Sequence, residues 1–183
     1  GKYMNFILNI DNSILQFIQN NMRNDVLDRI MPIITSLGNA GFIWIFICVV
    51  MICSKKYRPY GFMMGIALIF CAVVGNITLK PIVARIRPFD ANPLIDGLLI
   101  NAPKDFSFPS GHTMVSFSCA CVLLYMDRKM GIAALILSSA IAFSRLYLYV
   151  HYPSDVFAGM IIGIILSYAS IKTYIFIEKH NFF

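Results

Sequence analysis

The chain has 183 residues, of which 58% are hydrophobic and 13% charged, with a formal net charge of +6 and a mean hydropathy of +0.73. That composition excludes an ordinary soluble globule and a disordered chain, and marks an integral membrane protein whose length suits one domain. The positive charge does not point to nucleic acid, because the basic residues are dispersed between apolar runs and form no solvated patch.

Met4 has the character of a natural start, so Gly1-Lys2-Tyr3 is expected to be an added leader; apolar runs that continue to the C-terminus argue against a cleaved signal peptide. Over residues 5–22, Phe6, Ile7, Ile10, Ile14, Leu15, Phe17 and Ile18 alternate with Asn9, Asp11, Asn12, Gln16, Gln19 and Asn20. This predicts an amphipathic helix lying in the membrane interface, since so many amides are expensive in hydrocarbon. A second short interfacial helix is expected over residues 24–37, with Pro32 as a bend and Gly38-Asn39-Ala40-Gly41 as a break.

Five spans follow, over residues 41–53, 60–79, 111–126, 130–147 and 154–174. The first and third are short against the ~20 residues that cross a hydrocarbon core. A sixth arises if residues 5–22 cross, which would move the N-terminus to the other side. The expected fold is therefore all-α: one domain over residues 1–183, a polytopic transmembrane helical bundle of five to six spans. Interfacial helices occupy residues 5–37 and the main bundle residues 41–177. Gly61 with Gly65, and Gly159 with Gly163, have the spacing of close helix contacts. The polar stretch between Pro88 and Pro109, which includes Asp90, Asp96, Lys104 and Asp105, reads as a loop over a site, partly helical. Cys48, Cys53, Cys71, Cys119 and Cys121 all lie in apolar runs and are odd in number, so they read as buried or lipid-facing residues without a disulfide or metal role.

Loop charges set the orientation. Lys55, Lys56 and Arg58, then Arg128 and Lys129, then Lys172 and Lys179, fall on one side of alternating spans, which the positive-inside rule makes cytoplasmic. Lys80, Arg85, Arg87, Lys104, His112, Arg145 and His151 fall on the other. Excess cation outside breaks the rule unless it meets an anionic ligand there, at the outer face of a cell membrane.

Three clusters carry chemistry. Lys80 and Arg87 are seven residues apart, so a continuing helix would place both on one face, although Pro81 suits a restart; alone, the pair can equally snorkel to lipid phosphates. Pro109-Ser110-Gly111-His112 opens a span, with Ser110 as N-cap and Gly111 letting an oxyanion approach free backbone N–H groups. The alternative is an ordinary cap beside an interfacial histidine. Arg145 precedes His151 by six residues and Asp155 follows it by four, where an aspartate can fix the imidazole tautomer and leave the other nitrogen free to attack. The alternative is a pair that serves packing only. Together, two histidines, one aspartate and three permanent cations on one face suit phosphoryl transfer by nucleophile, acid and charge neutralisation. Carboxylates for a two-metal site are lacking: the chain has nine acidic residues, and Glu178, its only glutamate, lies in the tail. No cofactor and no metal are expected.

These motifs resemble the signature of the type 2 phosphatidic acid phosphatase superfamily: a lysine before Arg-Pro, here Lys80 with Arg87-Pro88; Pro109 to His112; and Ser144-Arg145 with His151 and Asp155. The resemblance covers less than half the chain, with no motif position departing. It implies that His151 is the nucleophile, Asp155 its orienting partner and His112 the acid and then base. Lys80, Arg87, Ser110, Gly111 and Arg145 would hold the phosphate, and Arg85 has no assigned place. It also implies a helical bundle with its site at the outer membrane surface. The small bacterial members that it resembles process undecaprenyl pyrophosphate, phosphatidylglycerophosphate, phosphatidate or related lipid phosphates, and the first is the expected substrate. A vanadate-dependent haloperoxidase, or a carrier that binds lipid phosphates without turnover, are the alternatives.

Overall fold

The computed structural model describes residues 2–180 and contains no strand among them. Gly1, part of the expected leader, lies outside the described residues. The elements are α1 (Lys2–Asn21), α2 (Asp25–Leu37), α3 (Phe42–Cys53), α4 (Arg58–Cys71), α5 (Lys80–Val83), α6 (Pro88–Ala91), α7 (Gly111–Met126), α8 (Arg128–Tyr147) and α9 (Pro153–Lys179). Among the described residues, three helical stretches are long and apolar enough to cross a membrane, Arg58–Ala91, Arg128–Tyr147 and Pro153–Lys179. Asp25–Leu37 and Asn39–Cys53, bent by 45° at their break, make a fourth if they cross as one. The expected five spans are reached only by counting both that bent pair and the short α7.

The bend lies at residues 38–41 and not at Pro32, which α2 carries within its length. Ala40 and Gly41 adopt left-handed φ of 50° and 71° there, and the Gly38 N–H closes α2 on the Thr35 and Ser36 carbonyls. Such a cap stops a helix where a proline only loosens one. α1 shows two contrasting faces. Asp11, Leu15 and Ile18 are buried against the bundle, while Phe6, Ile7, Ile10, Ile14 and Phe17 form an exposed apolar stripe, the pattern of a helix lying in the interface.

α7 is the central element and packs most extensively against α8 and α9. Between apolar helices in lipid, close backbone approach substitutes for a hydrophobic drive, and the glycines show where it happens. A Cβ at Gly159 would lie 2.7 Å from the Ser110 carbonyl oxygen, and one at Gly163 2.4 Å from that of Met114. Gly61 meets the α3 backbone in the same way, at 2.8 Å from Ile52 N, whereas at Gly65 a Cβ would find only the Cys48 Sγ at 3.7 Å. The Trp44 indole donates to Ser116 Oγ at 2.9 Å inside the core formed by α3, α4, α7 and α8.

The second predicted span differs in an instructive way. After α4 the chain continues as a π-helix over Ala72–Leu79 before α5. The Lys80 N–H reaches back to the Gly75 carbonyl, and the Thr78 hydroxyl donates to the Val73 carbonyl at 2.8 Å, both five residues back. The β-branched run Val73, Val74, Ile77, Thr78 is a poor α-helix former, and the wider turn re-phases everything after it, Lys80 included. α5 then stops at Ala84, in left-handed conformation with φ 46°. Lys80 and Arg87 therefore do not share one helical face.

Candidate active site

His151 sits in the short turn between α8 and α9. Leaving α8 at Tyr147, the chain reverses through Tyr149 at φ 61°, a strained conformation for a non-glycine residue that surrounding packing must hold. Pro153 then starts α9 with a φ suited to a first turn. Asp155, one turn on, accepts the Tyr152 N–H on Oδ2 at 2.9 Å. His151 is 1% exposed and Asp155 not at all.

Asp155 Oδ2 lies 3.7 Å from His151 Nδ1. The Ser107 hydroxyl sits beside both, donating to Asp155 Oδ2 at 2.5 Å and lying 3.5 Å from His151 Nδ1. The aspartate contact is looser than a hydrogen bond, as catalytic pairs often are until substrate tightens them. It directs Nδ1 to the carboxylate, while Nε2 faces the Arg87 guanidinium at 3.2 Å. Burial lowers the imidazole to about 3; Asp155 pulls it upward, and the Arg145 and Arg87 charges add to the lowering. The ring is thus neutral at physiological pH, with one nitrogen carrying a lone pair.

Arg87 is held from several sides. It donates to the Val150 carbonyl at 2.6 Å, the Asp105 carbonyl at 2.7 Å and Asp105 Oδ1 at 2.7 Å. Lys80 pairs with the second oxygen of the same carboxylate. Asp105 therefore joins the two cations that the helix periodicity was expected to align. Burial acts to raise its carboxyl, but the Lys80 hydrogen bond and the charges of Lys80 and Arg87 outweigh it and hold it down at about 2. Arg145, 3% exposed, donates to Thr35 Oγ1 at 2.7 Å, and its buried Nε has no partner among the described residues. A guanidinium with a spare buried donor is suited to an oxyanion.

His112, in the first turn of α7, places Nε2 2.9 Å from Asn39 Oδ1. Lys80, Arg87, Gly111, His112, Arg145 and His151 all line one cavity of about 700 Å³, closed on one side by Leu98, Leu99, Ile100, Asn101 and Asp105 of the polar loop. A second cavity of about 480 Å³ shares Lys80, Asp105, Gly111 and His112, and continues past Ile45, Leu68 and Val115. Two predicted residues stand apart from the lining. Asp155 lies behind His151. Ser110 caps α7 with its hydroxyl turned to Thr113, 2.9 Å from Oγ1, so its side chain is not on the cavity wall; its N–H instead stitches α7 to α9 through the Asp155 carbonyl at 3.1 Å.

Sequence reasoning missed Asp105, Ser107, Thr35 and Asn39. Each is a polar residue bordering apolar sequence, the same signal that singled out the histidines, but none belonged to a spacing that suggested chemistry.

The far end of the bundle is separate. Tyr125, roughly 20 Å along α7 from Gly111, meets Tyr60 with ring centroids 6.2 Å apart, and Phe62 stacks on Tyr174 at 6.3 Å. Lys55, Lys56, Arg128 and Lys129 adjoin this end in sequence, away from the cavity.

The family profile described as PAP2 superfamily matches residues 56–178. The undecaprenyl-diphosphatase of Sulfolobus acidocaldarius is 32% identical over 148 residues, covering 80% of this chain and 70% of that protein. The lipid A 4'-phosphatase of Bacteroides thetaiotaomicron is 30% identical over 169 residues, 86% and 74% of the two chains. In crystal structures, a transmembrane PAP2-type phosphatidylglycerolphosphate phosphatase from Bacillus subtilis superimposes with a TM-score of 0.73 at 27% identity, covering 91% of this chain and 85% of its own.

Proposed function

Since the chain belongs to the PAP2 superfamily and is a membrane lipid phosphatase, we propose that it works through a phosphohistidine on His151, without a metal, and that its substrate is undecaprenyl pyrophosphate. The observation that carries this reading is the buried His151, with Asp155 behind Nδ1 and Arg87 in front of Nε2, in a cavity shared with Lys80, Arg145 and His112.

In the first step His151 Nε2 attacks phosphorus while the bond to the leaving oxygen breaks and His112 protonates that oxygen. Lys80, Arg87, Arg145 and the N–H groups at the start of α7 neutralise the equatorial oxygens; Gly111 leaves room, since even a Cβ there would stay 3.9 Å from Lys80 Nζ. In the second step His112 takes a proton from water, the hydroxyl attacks phosphorus and the P–N bond breaks. Ser110 contributes its cap and its backbone rather than its hydroxyl. Three cations supply the charge that metals supply elsewhere, and no group of three or more His, Cys, Asp or Glu that could hold a metal is found among the described residues.

The lipid chain leaves through the second cavity, whose wall changes from Lys80 and His112 to Ile45, Leu68 and Val115. A diphosphate suits the larger cavity, whose wall carries Lys80, Arg87 and Arg145. The relatives named undecaprenyl-diphosphatase favour the same choice, and the structural likeness to a phosphatidylglycerolphosphate phosphatase supports the runner-up. The opposition of the cavity to the basic far end supports an extracytoplasmic site in the cell membrane.

The test is phosphate release by the purified protein in detergent from undecaprenyl pyrophosphate, phosphatidylglycerophosphate and phosphatidate, with His151→Ala as blank. The diphosphate should give the highest kcat/KM, and EDTA should leave it intact. Faster turnover of either other lipid overturns the substrate, and loss of activity in EDTA overturns the mechanism.

A further inference from the structure

Arg85 belongs to no part of the mechanism above and does not line the cavity, yet it makes a dense set of partly buried contacts. Its Nη1 donates to Asp155 Oδ1 at 2.6 Å and to Ser154 Oγ at 2.7 Å. Its Nη2 donates to Asp11 Oδ2 at 2.7 Å, and its guanidinium lies over the Tyr152 ring, 4.0 Å from the centroid. Asp11, on the buried face of α1 and 2% exposed, also accepts the Ser154 N–H at 2.8 Å and the Ser154 hydroxyl at 2.6 Å.

We propose that Arg85, held by Asp11 of the interfacial helix α1, is a positioning residue for His151: it fixes the Asp155 oxygen that the imidazole does not use. The inference rests on His151 being the nucleophile and Asp155 its partner. Oδ2 of Asp155 meets Ser107, the Tyr152 N–H and the His151 ring. A carboxylate held at Oδ2 alone can still rotate or tilt about its Cβ–Cγ bond. Tying Oδ1 to Arg85 removes that freedom and keeps Oδ2 facing Nδ1.

The residue type fits the task. Two nearly unexposed carboxylates, Asp11 and Asp155, face one cation, and only a planar fork reaches both with separate nitrogens. Lys at this position would present one point charge to two carboxylates. The anchor is equally specific. Asp11 is the acidic member of a helix whose opposite stripe, including Phe6, Ile10 and Phe17, is exposed. A buried charge on an amphipathic helix is costly unless paired, and its pairing runs directly to the catalytic pair. A helix that lies in the membrane interface thereby becomes part of the apparatus that orients the nucleophile.

A purely structural tie between α1 and α9 would lower stability and leave the folded enzyme's kinetics unchanged. The two roles separate in kcat and KM, measured per folded enzyme in detergent with folded fraction set by size exclusion and thermal melting. Arg85→Gln should lower kcat on the order of 10- to 100-fold, with KM within about twofold of wild type, because a partner behind a reacting histidine orients it without touching substrate. Arg85→Lys should recover part of that loss, and Asp11→Asn should lower kcat less than Arg85→Gln. In an Asp155→Asn background, Arg85→Gln should cost no more than about twofold further, the non-additivity expected of residues acting through one group. Should Arg85→Gln not fold, Arg85→Lys carries the test with the same signature of reduced kcat and unchanged KM. Wild-type kcat in the Arg85 variants, or an equal loss with and without Asp155, overturns the proposal. His151→Ala distinguishes the two levels. Turnover surviving that substitution removes the nucleophile reading itself, whereas an inactive His151→Ala beside a fully active Arg85→Gln removes only the role of Arg85.

Discussion

The two histidines of the cavity are built to different standards. His151 is 1% exposed and is contacted from three segments: the 84–87 connection through Arg87, the polar loop through Ser107, and α9 through Asp155. His112 borders both cavities and has, among the described residues, one side-chain hydrogen bond, to Asn39 at 2.9 Å. In the proposed mechanism the difference follows from the work. A nucleophile needs a single orientation before the reaction starts, because misplacement by about 1 Å costs on the order of 100-fold. A proton shuttle needs access first to the leaving lipid oxygen and then to water, so an open side is part of its function.

Breaking each half should give different defects. His151→Ala should abolish phosphate release, by at least about 10³-fold, and leave no acid-labile phosphoenzyme, since the covalent step is gone. His112→Ala should lower turnover of lipid substrates on the order of 10²- to 10⁴-fold, but an aryl phosphate, whose leaving group needs no proton, should still phosphorylate it. Phosphohistidine should then accumulate, which rapid quench and phosphate labelling can detect. Accumulation in His151→Ala rather than His112→Ala would reverse the two assignments.

A subtler disturbance separates the halves without touching either ring. Gly159→Val would press a side chain into the Ser110 carbonyl, where a Cβ already falls at 2.7 Å, and so shift the start of α7 against α9. It should cost roughly 1–3 kcal/mol, the range for overpacked interiors, seen as a lower melting temperature in detergent, and about tenfold or more in kcat as His112 moves from its place.

The burial of His151 makes a pH prediction. Its imidazole titrates near 3 in the folded protein and near 6.5 once unfolded. Between these values the unfolded chain binds the extra proton, so stability falls as pH drops from about 6.5 toward 3 and is fully present above that window. The melting temperature of the wild type should decline across this range more steeply than that of His151→Ala. Asp105, held at about 2, acts in a lower window: its contribution is present above about 3.8 and is lost as pH falls through 2. The smallest effect is expected at Asn39. Asn39→Ala removes a side-chain partner of His112 and should slow turnover about three- to tenfold, consistent with one hydrogen bond of about 1 kcal/mol, with melting temperature nearly unchanged. A loss equal to that of His112→Ala would show that the open half is as tightly specified as the closed one.

Much of the molecule was legible in the chain. The residues of the three motifs came from sequence, as did the break at Gly38–Gly41, the amphipathic pattern of α1, and the close contacts at Gly61, Gly159 and Gly163. Each of these depends on short-range pattern: a cap, a period of apolar residues, or glycines at small spacing. Gly65 had the same spacing and makes only ordinary contact, because spacing identifies a face and the neighbouring helix decides its distance. The bend expected at Pro32 moved to Ala40 and Gly41, where left-handed residues stop a helix that a proline alone did not. Lys80 and Arg87 looked like partners on a helical face; the stop at Ala84, between the two, ended that face.

By itself the sequence determined the kind of chemistry and the medium: histidines, cations and an aspartate at the ends of apolar helices, costly there unless they act together. Only the tertiary structure decided who partners whom. Asp105 joins Lys80 to Arg87, Thr35 receives Arg145, and Arg85 links Asp155 to Asp11. These pairs unite residues far apart in the chain, and no local pattern encodes them, because a charge drawn into the bundle settles on whichever counter-charge or polar acceptor the fold brings within about 3 Å.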